Sequence, residues 1–206
     1  MFTGLVEGVA KVKSFSEENA AYLLQLELPE NVLSDMSIGD SLACNGCCLT
    51  LIKLEGKIAS FQLLEESVRL TSFEFVKTGS LINVERPLLP NTRLGGHFVS
   101  GHVDARAEVV KFEQIGKNIY IRLSFDKSFS KYVVYKGSIT IDGISLTIAE
   151  AYDGELAVWI IPHTLEVTNL ADCKVGKIVN LEFDLLAKYV EKIALGNRDK
   201  SPYQES

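Results

Sequence analysis

The sequence has no apolar run approaching the roughly 18 to 20 residues that cross a bilayer. Its opening, Met1-Phe2-Thr3-Gly4-Leu5-Val6-Glu7, lacks a basic stretch followed by an apolar one, so no signal peptide is expected. There is no basic block either. Lys and Arg number 21 against 27 Asp and Glu, a formal net charge of −6, which argues against nucleic acid or an anionic membrane as the main partner. Cysteine is scarce: four residues, two of them adjacent (Cys47, Cys48), do not make a disulfide framework, and a reduced, cytosolic compartment is expected. What remains is an ordinary globular composition, 47% hydrophobic and 23% charged over 206 residues. That length suits one large domain or two small ones, each half able to bury a core.

The chain is a tandem repeat at an offset of 97 residues. Ser41-Leu42-Ala43-Cys44-Asn45-Gly46-Cys47-Cys48-Leu49-Thr50 aligns without a gap on Ser138-Ile139-Thr140-Ile141-Asp142-Gly143-Ile144-Ser145-Leu146-Thr147. The same shift pairs Gly4 with Gly101, Val6 with Val103, Ala10 with Ala107, Val12 with Val109, Thr71 with Thr168, Gly79 with Gly176, Asn83 with Asn180 and Glu85 with Glu182. So many coincidences at one shift point to two copies of one unit.

Each copy reads as mostly strand. Tyr22–Leu28 and Ile119–Phe125 alternate in hydropathy, as do Leu81–Glu85 and Ile178–Glu182. Asn45-Gly46 and Asp142-Gly143, set inside apolar runs, predict tight turns or bulges. Short helices are expected at Glu65–Leu70 and Ser128–Tyr135. Several short strands with turn signals suggest a small closed barrel per copy, which also removes exposed sheet edges. One helix has no counterpart in the first copy. Leu185, Leu186, Tyr189, Val190 and Ile193 share a face, with Asp184 able to cap its start and Gly196 its end. It packs either on its own barrel or against other copies of the chain. The tail 196–206 is polar and expected to fray.

Chemistry should lie where the two copies differ. Cys48 in the first aligns with Ser145 in the second, and Leu5 with His102. The thiol thus belongs to one pocket and the imidazole to the other, an arrangement suited to two like substrates that react with each other. Cys44-Asn45-Gly46-Cys47 is formally Cys-x-x-Cys. A metal site needs two further ligands, and Cys48, Cys173, His97, His102 and His163 form no second close pair. A redox dithiol favours a helix N-terminus, whereas this run reads as strand and turn. Gly95, Gly96 and Gly101 around His97 and His102 permit close backbone approach to a ligand. Lys136, before the second repeated run, can hold a polar substrate if it stands beside a pocket.

Four blocks together resemble the riboflavin synthase family: Met1–Glu7, Asn45–Thr50, Gly95-Gly96-His97-Phe98-Val99-Ser100-Gly101-His102-Val103 and Lys136–Thr147. The resemblance covers about residues 1–195. It implies a mainly β fold of two tandem six-stranded Greek-key barrels, 1–97 and 98–195, the second ending in the helix at about 185–195. It implies a homotrimer assembled by that helix, with each site between the first barrel of one subunit and the second of the next. The implied reaction is the dismutation of two 6,7-dimethyl-8-ribityllumazine molecules to riboflavin and 5-amino-6-(ribitylamino)uracil, without metal or organic cofactor. Docking with a lumazine synthase shell is left open.

By the same resemblance, Gly4, Leu5, Val6, Cys48, Leu49, Thr50, Gln62, Leu63, Leu64, Glu65, Glu66 and Ser67 line the first pocket. Gly101, His102, Val103, Lys136, Ser145, Leu146, Thr147, Trp159, Ile160, Ile161, Pro162, His163 and Thr164 line the second. His102 is implied as a base or proton carrier near neutral pH and Cys48 as a nucleophile or proton guide, with Ser41 and Asp142 secondary candidates. The rate would come mainly from holding two substrates face to face. Two rivals remain. A non-catalytic lumazine or flavin antenna protein shares the fold but tends to lose the second cysteine and the histidine, and both Cys48 and His102 are present here. A generic two-barrel flavoenzyme would carry a Gly-rich phosphate turn in a βαβ unit, and none is visible.

Overall fold

The computed structural model describes residues 1–18 and 21–195. The Gly196 cap and the tail 196–206 lie outside the described residues. The first copy contains β1 (Gly8–Glu18), β2 (Ala21–Glu27), α1 (Glu30–Leu33), β3 (Ser41–Cys44), β4 (Cys47–Glu55), β5 (Ile58–Leu63), α2 (Glu65–Leu70) and β6 (Leu81–Glu85). The second contains β7 (Ala105–Ile115), β8 (Asn118–Phe125), β9 (Ser138–Ile141), β10 (Ile144–Tyr152), β11 (Glu155–Ile160), α3 (Pro162–Val167) and β12 (Ile178–Phe183), followed by α4 (Leu185–Leu195).

Both copies close into barrels. The strand order is β1-β2-β5-β4-β3-β6 in the first and, read in the same sense, β7-β8-β11-β10-β9-β12 in the second, with every pairing antiparallel. Bulges recur at matching places, between Val12 and Ser14 and between Val109 and Lys111. Each barrel has its own apolar core. Phe61, Leu24, Leu26, Leu51 and Ile82 fill the first. Leu123, Ile139, Leu156, Val179 and Leu181 fill the second.

The predicted turns are two-residue hairpin loops. Asn45 and Gly46 have φ of 46° and 78°, Asp142 and Gly143 of 47° and 79°. Both central residues are left-handed, the type I′ geometry that Asn-Gly and Asp-Gly accept readily. The helix expected at Glu65–Leu70 is α2. The one expected at Ser128–Tyr135 is instead a 3₁₀ segment, Lys127–Tyr132. Asp126 caps it by accepting the Ser128 N–H, and its bonds run three residues apart, as from Phe129 N–H to the Asp126 carbonyl. Six residues in that tighter spiral do not extend into an α-helix. α3 occupies the place of α2 shifted by 97.

The two barrels meet at a buried polar seam whose bonds are reciprocal. Asn83 N–H donates to Asn45 Oδ1 and Asn180 N–H to Asp142 Oδ1, each at 2.8 Å. The Asn83 amide crosses to the Asp142 carbonyl (2.9 Å) and the Asn180 amide to the Asn45 carbonyl (2.8 Å). Such mutual contacts mark an isologous interface between like units.

Candidate active site

Two straps precede the barrels, residues 1–7 and 98–104. They pair with each other: Phe2 N–H donates to the Val99 carbonyl (2.7 Å) and Val99 N–H to that of Phe2 (3.2 Å). Phe2 is fully buried with Val99 and Ala43, and Cys48 packs on this cluster. Each strap then crosses to the opposite barrel. Ser145 N–H donates to the Gly4 carbonyl (2.7 Å) and Cys48 N–H to the Gly101 carbonyl (2.8 Å). Val6 packs on the core of the second barrel and Val103 on that of the first.

The expected grouping is therefore corrected. Gly4 and Val6 stand with Ser145, and Gly101 and Val103 with Cys48. The thiol is not separated from the imidazole's strap, because exposed His102 directly follows Gly101. The imidazole against Ser145 is His97, whose Nδ1 lies 2.8 Å from Ser145 Oγ. Burial lowers the His97 pKa, favouring the neutral ring. Close approach explains two glycines. Gly101 has φ +82°, and a Cβ there would come within 2.7 Å of Cys48 Cβ and 2.8 Å of the Phe2 ring. A Cβ at Gly96 would lie 2.0 Å from the Thr3 carbonyl oxygen.

Cys48 is half-buried, while Cys44, Cys47 and Cys173 are buried. Burial pushes the Cys47 thiol up to about 12 and Cys173 to about 11, and raises Cys44 well above its usual value. These three stay protonated at neutral pH. Thr50 and Thr147 are exposed, Leu49 faces the first core and Leu146 leans on the second. Ser41 pairs with Thr50 across β3 and β4. It also shares a cavity of about 400 Å³ with Leu5, Glu7, Arg86, Leu88 and Arg93.

The two runs at the ends of β5 and β11 alternate as strands do. Leu63 and Ile160 are core residues, whereas Gln62, Leu64, Trp159 and Ile161 face outward. Glu65, Glu66, Pro162 and His163 are exposed at the starts of α2 and α3, with Ser67 and Thr164 half-buried. Lys136 is exposed and left-handed (φ 64°), at the position that Gly39 (φ 97°) holds in the first copy. Its ammonium sits 5.2 Å from the Tyr135 ring centroid. Asp142 is fully buried in the seam: one carboxylate oxygen accepts Asn180 N–H and the other lies 3.6 Å from Lys177 Nζ. Burial raises its pKa, against the pull of Lys177 and the hydrogen bonds.

The pocket residues implied by the resemblance omit three groups placed here: His97, which the sequence marks only by its flanking glycines, the buried Phe2 ring, and the anchors of the straps, Glu85 and Glu182. The signal for the anchors is a carboxylate at the same register of the last strand in both copies.

The lumazine binding domain family matches residues 3–87 and 100–184, the two copies at their 97-residue offset. A riboflavin synthase of Photobacterium phosphoreum is 40% identical over 195 residues, 95% of this chain and 89% of that protein. The chain belongs to the riboflavin synthase family. The riboflavin synthase of Escherichia coli K12 is 41% identical over 186 residues, 89% of this chain and 87% of its own. The barrel pair also superposes on LumP complexed with 6,7-dimethyl-8-(1'-D-ribityl) lumazine, with a TM-score of 0.81, 22% identity, and coverage of 89% of this chain and 99% of that one. At that identity the likeness concerns the riboflavin synthase fold alone.

Proposed function

We propose that the protein acts as a riboflavin synthase: it takes a four-carbon unit from one 6,7-dimethyl-8-ribityllumazine and adds it to a second, giving riboflavin and 5-amino-6-(ribitylamino)uracil. The two products together contain the atoms of two substrates, so the step calls for no outside oxidant or carrier. The observation that carries this reading is the reciprocal exchange of straps. It sets Cys48 beside the His102 strap and Ser145 beside His97, and we read these as two like pockets. Two identical heterocycles bound in like pockets with unlike reactive groups are set up for unlike fates.

The lumazine 7-methyl group is acidic because its carbanion is delocalised into the ring, and a positioned imidazole such as His102 suffices to accept its proton. Cys48 serves as nucleophile or proton guide, and exposed Thr50 and Thr147 orient the rings by their hydroxyls. Proximity and alignment supply most of the acceleration. We divide the chain functionally into lumazine-binding units 1–97 and 98–195. Each complete site is formed by the first barrel of one subunit and the second barrel of the next, in a cytoplasmic homotrimer that remains open to docking on lumazine synthase.

The outward face of α4 supports the oligomer. Its polar side is tied to its own barrel, Lys188 to Asp104 (2.6 Å) and Glu191 to Lys131 and Tyr132. Leu186, Tyr189, Val190 and Ile193 are left 58–80% exposed. The test is to mix purified protein with the lumazine and follow riboflavin absorbance: one riboflavin per two lumazines is expected. Cys48→Ser should lower turnover far more than lumazine affinity. Lumazine binding without riboflavin would instead assign the chain to the antenna type.

A further inference from the structure

Two buried carboxylates to which no role has been given repeat each other, and Glu85 lines the cavity that holds Leu5 and Ser41. Glu85 at the end of β6 is 5% exposed and Glu182 in β12 is 3% exposed. Neither meets a cationic side chain within 4.0 Å among the described residues. An unpaired buried carboxylate is costly unless its oxygens are hydrogen-bonded. Here every donor comes from a strap. Thr3 N–H and hydroxyl both donate to Glu85 Oε1 at 2.7 Å, and Gly4 N–H to Oε2 at 3.0 Å. Ser100 N–H and hydroxyl donate to Glu182 Oε1 at 2.7 and 2.6 Å, and Gly101 N–H to Oε2 at 3.0 Å.

The residue held on one side is the residue that holds on the other. Gly101 gives its N–H to Glu182 and its carbonyl to the Cys48 N–H. Gly4 gives its N–H to Glu85 and its carbonyl to the Ser145 N–H. Gly101 is left-handed with no room for a Cβ, so this link has little slack.

We propose that Glu85 and Glu182 are positioning residues acting crosswise: Glu182, in the second barrel, sets the Cys48–His102 pocket of the first, and Glu85, in the first, sets the Ser145–His97 pocket of the second. Occurrence of the same three-bond arrangement in both copies is an internal replicate of the geometry. The assignment rests on the functional reading only for which residues meet substrate.

The chain carries a reporter for each pocket. Cys48 is the cysteine that is not buried, and Trp159, the single tryptophan, is 42% exposed in the run assigned to the second pocket. Glu→Gln keeps one acceptor oxygen but turns an amide N–H₂ toward a strap N–H, donor against donor. Full-length E182Q and E85Q are compared with wild type by the rate of Cys48 alkylation with iodoacetamide, by riboflavin quenching of Trp159, and by steady-state kinetics. E182Q should change the alkylation rate at least fivefold and lower kcat at least tenfold, with the Trp159 affinity for riboflavin within twofold. E85Q should weaken that affinity at least fivefold and leave alkylation within twofold.

Each variant disturbing the reporter of its own barrel, both reporters moving together, or neither moving overturns the proposal. Should the glutamine variants fail to fold, Ser100→Ala and Thr3→Ala, which each remove one donor, must show the same crosswise pattern at smaller factors. Wild-type protein that makes no riboflavin sinks the functional reading, and the Cys48 arm still decides between crosswise and same-barrel control.

Discussion

Asp142 offers a clean separation of chemistry from architecture. Its carboxylate is fully buried, accepts Asn180 N–H at 2.8 Å, and occupies a left-handed position (φ 47°). Asn45 fills the same position of the sister turn at φ 46° and accepts Asn83 N–H at the same 2.8 Å. Asp142→Asn therefore copies a solution the fold already uses. It keeps the acceptor for Asn180 N–H and an Asn-compatible backbone, removes a buried charge, and among hydrogen bonds gives up only the long 3.5 Å contact from the Asn169 amide to the other oxygen. Lys177, which loses its partner, is 25% exposed along its side chain and can turn to water. The expected change is within about 1 kcal/mol, or about 4 °C in Tm for a chain of this size. Asp142→Ala instead leaves a buried N–H unsatisfied, about 1–3 kcal/mol, and places a Cβ residue without a polar tip in the left-handed region, about 1–2 kcal/mol. Together these give about 2–5 kcal/mol and about 4–20 °C. Thermal unfolding and steady-state riboflavin formation are measured on both variants. Near wild-type kcat is expected for Asp142→Asn. A loss of about 100-fold or more at unchanged Tm is the signature of a lost general acid or base, and it would refute a purely architectural role.

Three further outcomes follow from the same geometry. Phe2→Ala removes a fully buried ring that belongs to neither barrel core, worth about 3–5 kcal/mol; the straps should loosen while the barrels persist, so turnover falls at least tenfold with the far-ultraviolet circular dichroism kept, and near wild-type turnover would contradict this. The His97 pKa is held low by burial, so the unfolded chain takes up its proton first as pH falls, and this contribution to stability is present above about pH 6.5 and lost below it. Burial raises Glu85 and Asp142, which act in the opposite sense by favouring the folded state on acidification, so the comparison must be with His97→Gln. That variant should show a smaller drop in Tm between pH 7.5 and 5.5, and an identical drop would remove His97 from the account. Ile193→Asp places a charge on the exposed apolar face of α4 and should shift the protein to monomer in size-exclusion chromatography; an unchanged elution volume would mean that this face is not the assembly surface.

Much of the fold was legible because its signals are local. Asn-Gly and Asp-Gly inside apolar runs specify type I′ hairpins through backbone sterics, and alternating Tyr22–Leu28 and Ile119–Phe125 specify half-buried strands. The 97-residue shift also carries α2 onto α3, although Pro162-His163 bears none of the acidic first-turn signal of Glu65-Glu66. The Ser128–Tyr135 expectation missed because Asp126 caps a 3₁₀ spiral, and hydropathy does not distinguish three residues per turn from 3.6 over one or two turns.

The crossing of the straps lies in a different class. An internal repeat states which residues correspond, and correspondence is silent about contact. Gly4 can lie beside Cys48, with Gly101 beside Ser145, or Gly4 beside Ser145 with Gly101 beside Cys48, and the two arrangements have the same sequence and the same hydrophobic pattern. What selects the second is the seam. Asn83 and Asn180 bring the turns at Asn45 and Asp142 together across it, so that a Cβ on Gly46 would stand 2.9 Å from the Gly143 nitrogen. With the turns abutting, β4 and β10 present Cys48 and Ser145 toward the opposite copy's strap. The pairing of Phe2 with Val99, positions that the repeat maps onto each other, closes the arrangement at its centre. A contact between residues equivalent under the shift is the mark of a two-fold relation. It follows that each turn is flanked by the opposite repeat's strap: Gly101 stands at Cys48 with Val103 on the first core, and Gly4 and His97 stand at Ser145 with Val6 on the second.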